Sequence, residues 1–167
     1  KGTCWVYDEA VVMGKATVKK DAEVRNHAVV KGLARISDNA LVAGNAVVKG
    51  SAKISGTALV SGRAVVFGEA TIKEDSSVLE NAAVSGKVVM GDQAMVFENA
   101  KVSGEAVIKV NGCVCGDSEI SGKALVTDSA VVRAGKLVGS AVAKDFSQVK
   151  GGVLDHTIGG YTIFPKD

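Results

Sequence analysis

The sequence lacks most of what an ordinary globular core is built from. Only 4% of its 167 residues are aromatic and one is proline, so the interior has to be narrow and filled by small aliphatic side chains. Apolar runs never exceed a few residues, which excludes a membrane-spanning helix. Charge of one sign is also lacking: a net +2 is too mild to argue for attraction to nucleic acid or to a membrane. Histidine is confined to His27 and His156, and cysteine to Cys4, Cys113 and Cys115. Three unpaired cysteines fit a reducing compartment. No signal-peptide pattern is visible, and the opening at Lys1 rather than Met leaves room for an upstream segment.

What the chain has instead is a six-residue rule. Residues 40–45 (ALVAGN), 46–51 (AVVKGS) and 52–57 (AKISGT) share one pattern: a small residue, anything, an aliphatic, anything, a turn former, a polar residue. Laid end to end from Cys4, this gives 23 hexads, the last opening at Lys136, with Val, Ile or Met at every third position, ending at Val138, and Ala at 17 of the first positions. Strand side chains alternate with period two, so the first and third residues point inward and the second and fourth outward. The fifth position is Gly in 11 hexads and Asp or Asn in 5, residues that adopt positive φ at low cost. Each hexad is a short strand plus a corner.

A longer period sets how many corners close a coil. Positions 14, 32, 50, 68, 86, 104 and 122 are all Gly, spaced by 18, so three hexads make one turn of a triangular parallel β-solenoid. Glu69, Lys87, Glu105 and Lys123 alternate in sign at the same spacing and should attract along a ladder of about 4.8 Å. The spacing predicts an all-β rod of about seven coils over residues 1–139, followed by a C-terminal segment, 140–167. Lys136 falls where a small residue is expected and Lys144 where an aliphatic is expected. In the tail, 153–158 and 161–164 flank Gly159-Gly160, which predicts a capping β-hairpin. Trp5 and Tyr7 are placed to shield the other end.

The hexads over residues 4–139 resemble the left-handed β-helix of the hexapeptide-repeat, trimeric LpxA-like, superfamily. Handedness is implied by that resemblance alone. The opening stretch 2–10 (GTCWVYDEA) is similar to bacterial and phage-borne hexapeptide proteins labelled only as transferases. The resemblance implies a parallel homotrimer and, as an alternative to a structural role, an acyltransferase that uses an acyl-CoA in an inter-subunit groove, with His27 or His156 as the base. Against the second stand hexads that run without a single insertion and a His27 on a solvent-facing corner. The carbonic anhydrase branch of the superfamily needs three histidines on zinc, which two at opposite ends of the chain cannot reproduce. No metal site is expected, and no cofactor unless the acyl-CoA reading holds.

Partners must therefore be sought on the three outer faces. The first presents Leu41, Leu59, Leu79, Met95, Phe97, Cys113, Cys115 and Val131, and the second presents Val11, Val29, Val47 and Val65 with Met13 and Phe67. Together they form an apolar strip expected to mediate self-association. The third presents Lys19, Arg35, Lys53, Lys73 and Lys109 among Thr and Ser, a solvated face with capacity for weak contact with anions or polysaccharide. The reading that follows is a non-catalytic structural or interaction protein, a rigid rod, cytoplasmic or virion-associated.

Overall fold

The computed structural model describes residues 2–160 and the backbone of Thr162–Ile163. Among the described residues there are 26 strands and no helix, and every strand pairing is parallel, as in Leu41–Val42 beside Leu59–Val60. Three strands per coil give about nine coils, two more than the spacing predicts, because the winding continues into the tail. At the usual strand separation the rod is roughly 40 Å long. The strands stack in three columns. The first face runs from Trp5–Val6, the second from Val11–Val12 and the third from Thr17–Val18.

The interior is a stack of Ala and aliphatic pairs at essentially zero exposure from Ala22 onward. Five of its larger members, Ile36, Ile54, Ile72, Met90 and Ile108, lie in register on the third face, while Ile120 and Leu137 lie side by side on the second. Val24, Val42 and Val60 line the first face. Each buried valine contributes about 1.5–3 kcal/mol before chain entropy is subtracted, so stability is distributed along the rod.

The corners divide the labour between two devices. After the second face the column is all Gly, from Gly14 to Gly122, with φ between 71 and 78°. These coils approach closely: a Cβ at Gly104 would sit 2.6 Å from the carbonyl oxygen of Gly122. After the third face the left-handed residue is mostly acidic, and its carboxylate accepts the backbone N–H of the next corner. Asp38 takes that of Gly56 at 3.2 Å, Glu74 that of Asp92, Asp92 that of Val110 at 3.0 Å and Asp128 that of Asp145 at 3.2 Å. Asp8, Asn26 and Glu98 do the same after the first face. Val110, at φ 59°, interrupts the series with a β-branched side chain in the left-handed region. That conformation costs on the order of 1–3 kcal/mol.

The C-terminal end corrects three expectations. Partners are 18 residues apart through Val114↔Val132, but Glu119 pairs with Lys136, one residue fewer. The cause is Val131–Leu137, one continuous seven-residue strand that straightens a corner, with register shifts around Ala134. The hexad rule therefore slips rather than fails: Leu137, not Val138, fills the core, and Lys136 points outward to Glu119 at 2.7 Å. Ala143 likewise lies inside, which leaves Lys144 exposed. Among the described residues the expected capping hairpin does not form either. Thr157–Gly159 pairs in parallel with Val142–Lys144, and Thr162–Ile163 in parallel with Gln148–Val149. A two-residue hairpin of the primed kind needs positive φ at its first central residue, and only the second, Gly160, has it; Gly160 is a solenoid corner. Tyr161 and Phe164, expected on the hairpin's second strand, lie outside the described residues.

The first coil also differs from expectation. Trp5 and Val6 are 59% and 46% exposed, and Cys4, inward by register, is exposed too. Trp5 and Tyr7 occupy outward positions rather than closing over the core. Tyr7 instead donates its hydroxyl to Glu23 at 3.0 Å and accepts from Arg25 at 3.3 Å.

Candidate functional site

The two histidines sit on opposite ends of the rod, about seven coils or some 34 Å apart. His27 Nδ1 lies 3.0 Å from Glu9 Oε2, and His156 Nδ1 lies 3.1 Å from Asp155 Oδ1. All four side chains are largely exposed, and neither ring borders the grooves described below. Contact with His156 holds the Asp155 carboxyl below its ordinary range. Among the described residues no group of three or more His, Cys, Asp or Glu is arranged to hold a metal ion.

The cysteines are less accessible than their outward register implies. Cys115 is only 1% exposed and Cys113 is half-buried. Arg133, the outward residue of the next coil, reaches the Cys115 thiol. Burial, followed by the neighbouring Cys115, pushes the Cys113 thiol up to about 12, and burial raises Cys115 too. Both shifts disfavour the thiolate, and Cys115 drops out of the expected apolar surface.

The apolar strip resolves into two, separated by a polar corner that carries His27, Asn45, Asn81 and Asn99. On the first face Leu41 lies beside Leu59, and after Ser77 the column resumes as Met95, Cys113 and Val131. Leu79 and Phe97, two positions further along the strands, are half-buried. On the second face Val11, Val29, Val47 and Val65 stack in direct register, with Met13 and Phe67 exposed at their flank and Lys49 Nζ 5.2 Å above the Phe67 ring. The strips overlap in height only in the third and fourth coils. There Leu41 and Leu59 face one way while Val47, Val65 and Phe67 face the other.

Beyond Phe67 the second face changes character. Ala83, Ser85, Ser103 and Ser121 are small, and between Phe67 and Val138 they leave a groove of 390 Å³ bordered by Lys101, Glu119 and Lys136. Lys136 holds the Glu119 carboxyl below its ordinary range.

The third face holds a larger trough, 610 Å³, in the first three coils. It is lined by Lys15, Thr17, Lys19, Leu33, Arg35, Ile36, Ser37, Ser51 and Lys53. Of the five third-face cations expected together, Lys19, Arg35 and Lys53 line this trough. Lys73 and Lys109 lie higher on the same face, beside a groove of 150 Å³, where Lys73 is committed to Glu74 at 2.9 Å. Lys15 was missed by reading the faces alone, because it is the polar residue after a glycine corner.

A chain of parallel coils with this inside rule is a β-solenoid repeat protein. The comparison with known families agrees at that level: a family model described as YdcK beta solenoid repeat matches residues 34–50, which lie in the second and third coils. None of the curated proteins matches this chain.

Proposed function

We propose that the protein is a non-catalytic rigid rod of the left-handed hexapeptide-repeat kind that associates side by side with its own copies, as a homotrimer. The observation that carries this reading is the pair of apolar patches at one height on adjacent faces, Leu41 with Leu59 and Val47 with Val65 and Phe67. A closed three-fold ring of parallel rods is heterologous: one face of each copy meets a different face of the next, so both patches must lie at the same level along the axis. The third and fourth coils meet that condition. Contiguous Leu, Val and Phe on the outside of a rod are also the composition of an interface core.

Sedimentation tests the reading directly. Leu59→Glu and Phe67→Glu, each on its own, are expected to reduce a trimer to monomers while the circular dichroism of the solenoid stays unchanged. Phe97→Glu, on the first face two coils higher, should weaken association less. An unchanged mass in the Leu59→Glu, Phe67→Glu double variant would overturn the proposal.

A further inference from the structure

The trough on the third face has an electrostatic arrangement that folding does not require. Arg35 stands directly beside Lys53 in the parallel ladder, and Thr17 beside Arg35. Like charges directly opposite one another on neighbouring strands are destabilising. Lys15 and Lys19 flank Thr17 on the same surface, so four cations occupy a patch of roughly 10 by 13 Å. No carboxylate lines it. Asp38, the nearest acidic corner, is engaged by Lys20, by the Gly56 N–H and by the Ser37 hydroxyl. Several cations elsewhere do have a carboxylate partner, as Lys73 with Glu74, Lys123 with Glu105 and Lys136 with Glu119. In this trough four cations share one surface with no carboxylate in its lining.

Two further features of the lining narrow the ligand. Hydroxyls from Thr17 and Ser51 lie among the cations, which suits a ligand carrying hydroxyls as well as negative charge. Leu33 lies at the middle of the corner edge, 53% exposed, and offers an apolar surface that an inorganic polyphosphate has no means to use. From these we infer that the trough binds an acidic saccharide, two to three sugar residues bearing sulfate or carboxylate groups. Arg35 and Lys53 bind the charged groups at the centre, and Lys15 and Lys19 bind from either side. Arg35 is the anchor, since its planar fork meets two oxyanion oxygens at once. The third face is also the one that the proposed side-by-side assembly leaves uncovered, so binding and association are independent.

The test is titration calorimetry on the full chain with four probes: a sulfated heparin hexasaccharide, a trigalacturonate, inorganic tripolyphosphate and a DNA duplex. The inference expects one or both saccharides to bind at least tenfold more tightly than tripolyphosphate and the duplex. Arg35→Glu and Lys53→Glu should each reduce that binding by tenfold or more, and Lys109→Glu, on the same face outside the trough, by less than twofold. Leu33→Ala should weaken the saccharide and leave tripolyphosphate unchanged. Equal affinity for all four anions, or an equal loss on Lys109→Glu, would mean unspecific charge attraction and overturn the inference. Absence of saccharide binding would overturn it as well. Binding that persists in the Leu59→Glu, Phe67→Glu protein separates the outcome from that of the assembly.

Discussion

The central coils and the C-terminal coils obey the same inside rule at different circumferences. From Trp5 to Val132 on the first face each residue lies above a partner 18 positions away. Beyond that the separation falls to 17 at Glu119↔Lys136, 15 at Val142↔Thr157 and 14 at Gln148↔Thr162. In the centre the small-aliphatic pair, the left-handed corner and the side chain that caps the next corner recur together. In the narrowing coils a larger aliphatic remains on most sides, as Leu137, Val149, Leu154 and Ile158, with Ala143 in its place on one, while the six-residue spacing between corners is given up. The difference teaches that burial of an apolar side chain on each side persists where corner spacing does not, and that corner spacing tunes the width.

The comparison breaks most sharply on buried charge. Ile72→Asp places a carboxylate in a fully enclosed central position and is expected to cost several kcal/mol, enough to prevent cooperative folding. Leu154→Asp, near the narrow end, should loosen only the last coils, as expected for a one-dimensional array. Denaturant unfolding monitored by circular dichroism, with hydrogen exchange to locate the change, separates the two outcomes.

Next in size is a methyl group at a corner. Gly104 and Gly139 both have left-handed φ, 76° and 61°, but a Cβ at Gly104 meets the Gly122 carbonyl oxygen at 2.6 Å, whereas at Gly139 nothing lies within 4 Å. Gly104→Ala is expected to cost about 2–4 kcal/mol, from conformation and clash together. Gly139→Ala should cost only the conformational part, about 1 kcal/mol. Equal losses in the midpoint of unfolding would mean that coil spacing does not distinguish the two regions.

A smaller contrast comes from serines that replace the inward alanine. Ser118 Oγ donates within its buried site, 2.5 Å from the Cys115 carbonyl oxygen and 2.9 Å from that of Val132. Ser147 Oγ, in the narrowing part, is buried with no partner. Removing a satisfied hydroxyl should cost about 1 kcal/mol, and removing an unsatisfied one should be neutral or stabilising. Thermal unfolding of Ser118→Ala and Ser147→Ala should therefore shift in different directions or by clearly different amounts.

The smallest expected effect is that of pH. Hydrogen bonds from Lys20 and then from the Gly56 N–H lower the Asp38 pKa, and those from Lys73 and then from the Asp92 N–H lower that of Glu74. A carboxylate held below its unfolded pKa contributes stability that is present above that pKa, about 4, and lost as pH falls through the folded value. The melting temperature should be level above about pH 5 and decline on acidification, less steeply in Asp38→Asn. A melting temperature that rises on acidification would remove the corner carboxylates from the account.

Much of this fold was legible in the sequence because its instructions are local and repeated. The hexad gave the strand, the Gly column gave the corner, and their common multiple gave the coil. The third-face isoleucine column was legible too, since Ile36, Ile54, Ile72 and Ile108 share the 18-residue period, but only the structure drew it out. The slip near Ala134 was hidden because Leu137 and Val138 are adjacent aliphatics and either satisfies the pattern. Arg133 stands the regular 18 residues after Cys115, so their adjacency was legible, but that its side chain reaches the thiol was not. Of the charge ladder expected through Glu69, Lys87, Glu105 and Lys123, only Glu105 and Lys123 come into contact among the described residues, at 3.8 Å. Long exposed side chains are free to turn away from one another, and register alone does not bring them together. The basic trough was half legible: three of its cations lie in one outward pattern, while Lys15 enters from a corner.

The narrowing has a consequence for how such rods meet end to end. A parallel stack with unpaired edges is a template onto which another chain of equal perimeter can be added without limit, the geometry of a fibre. Here the coil at Trp5 has an 18-residue perimeter and the one at Thr162 a 14-residue one. Corners that coincide on one side of such a junction fall out of step on the next. An edge of the wide coils and an edge of the narrow ones are thus mismatched in shape.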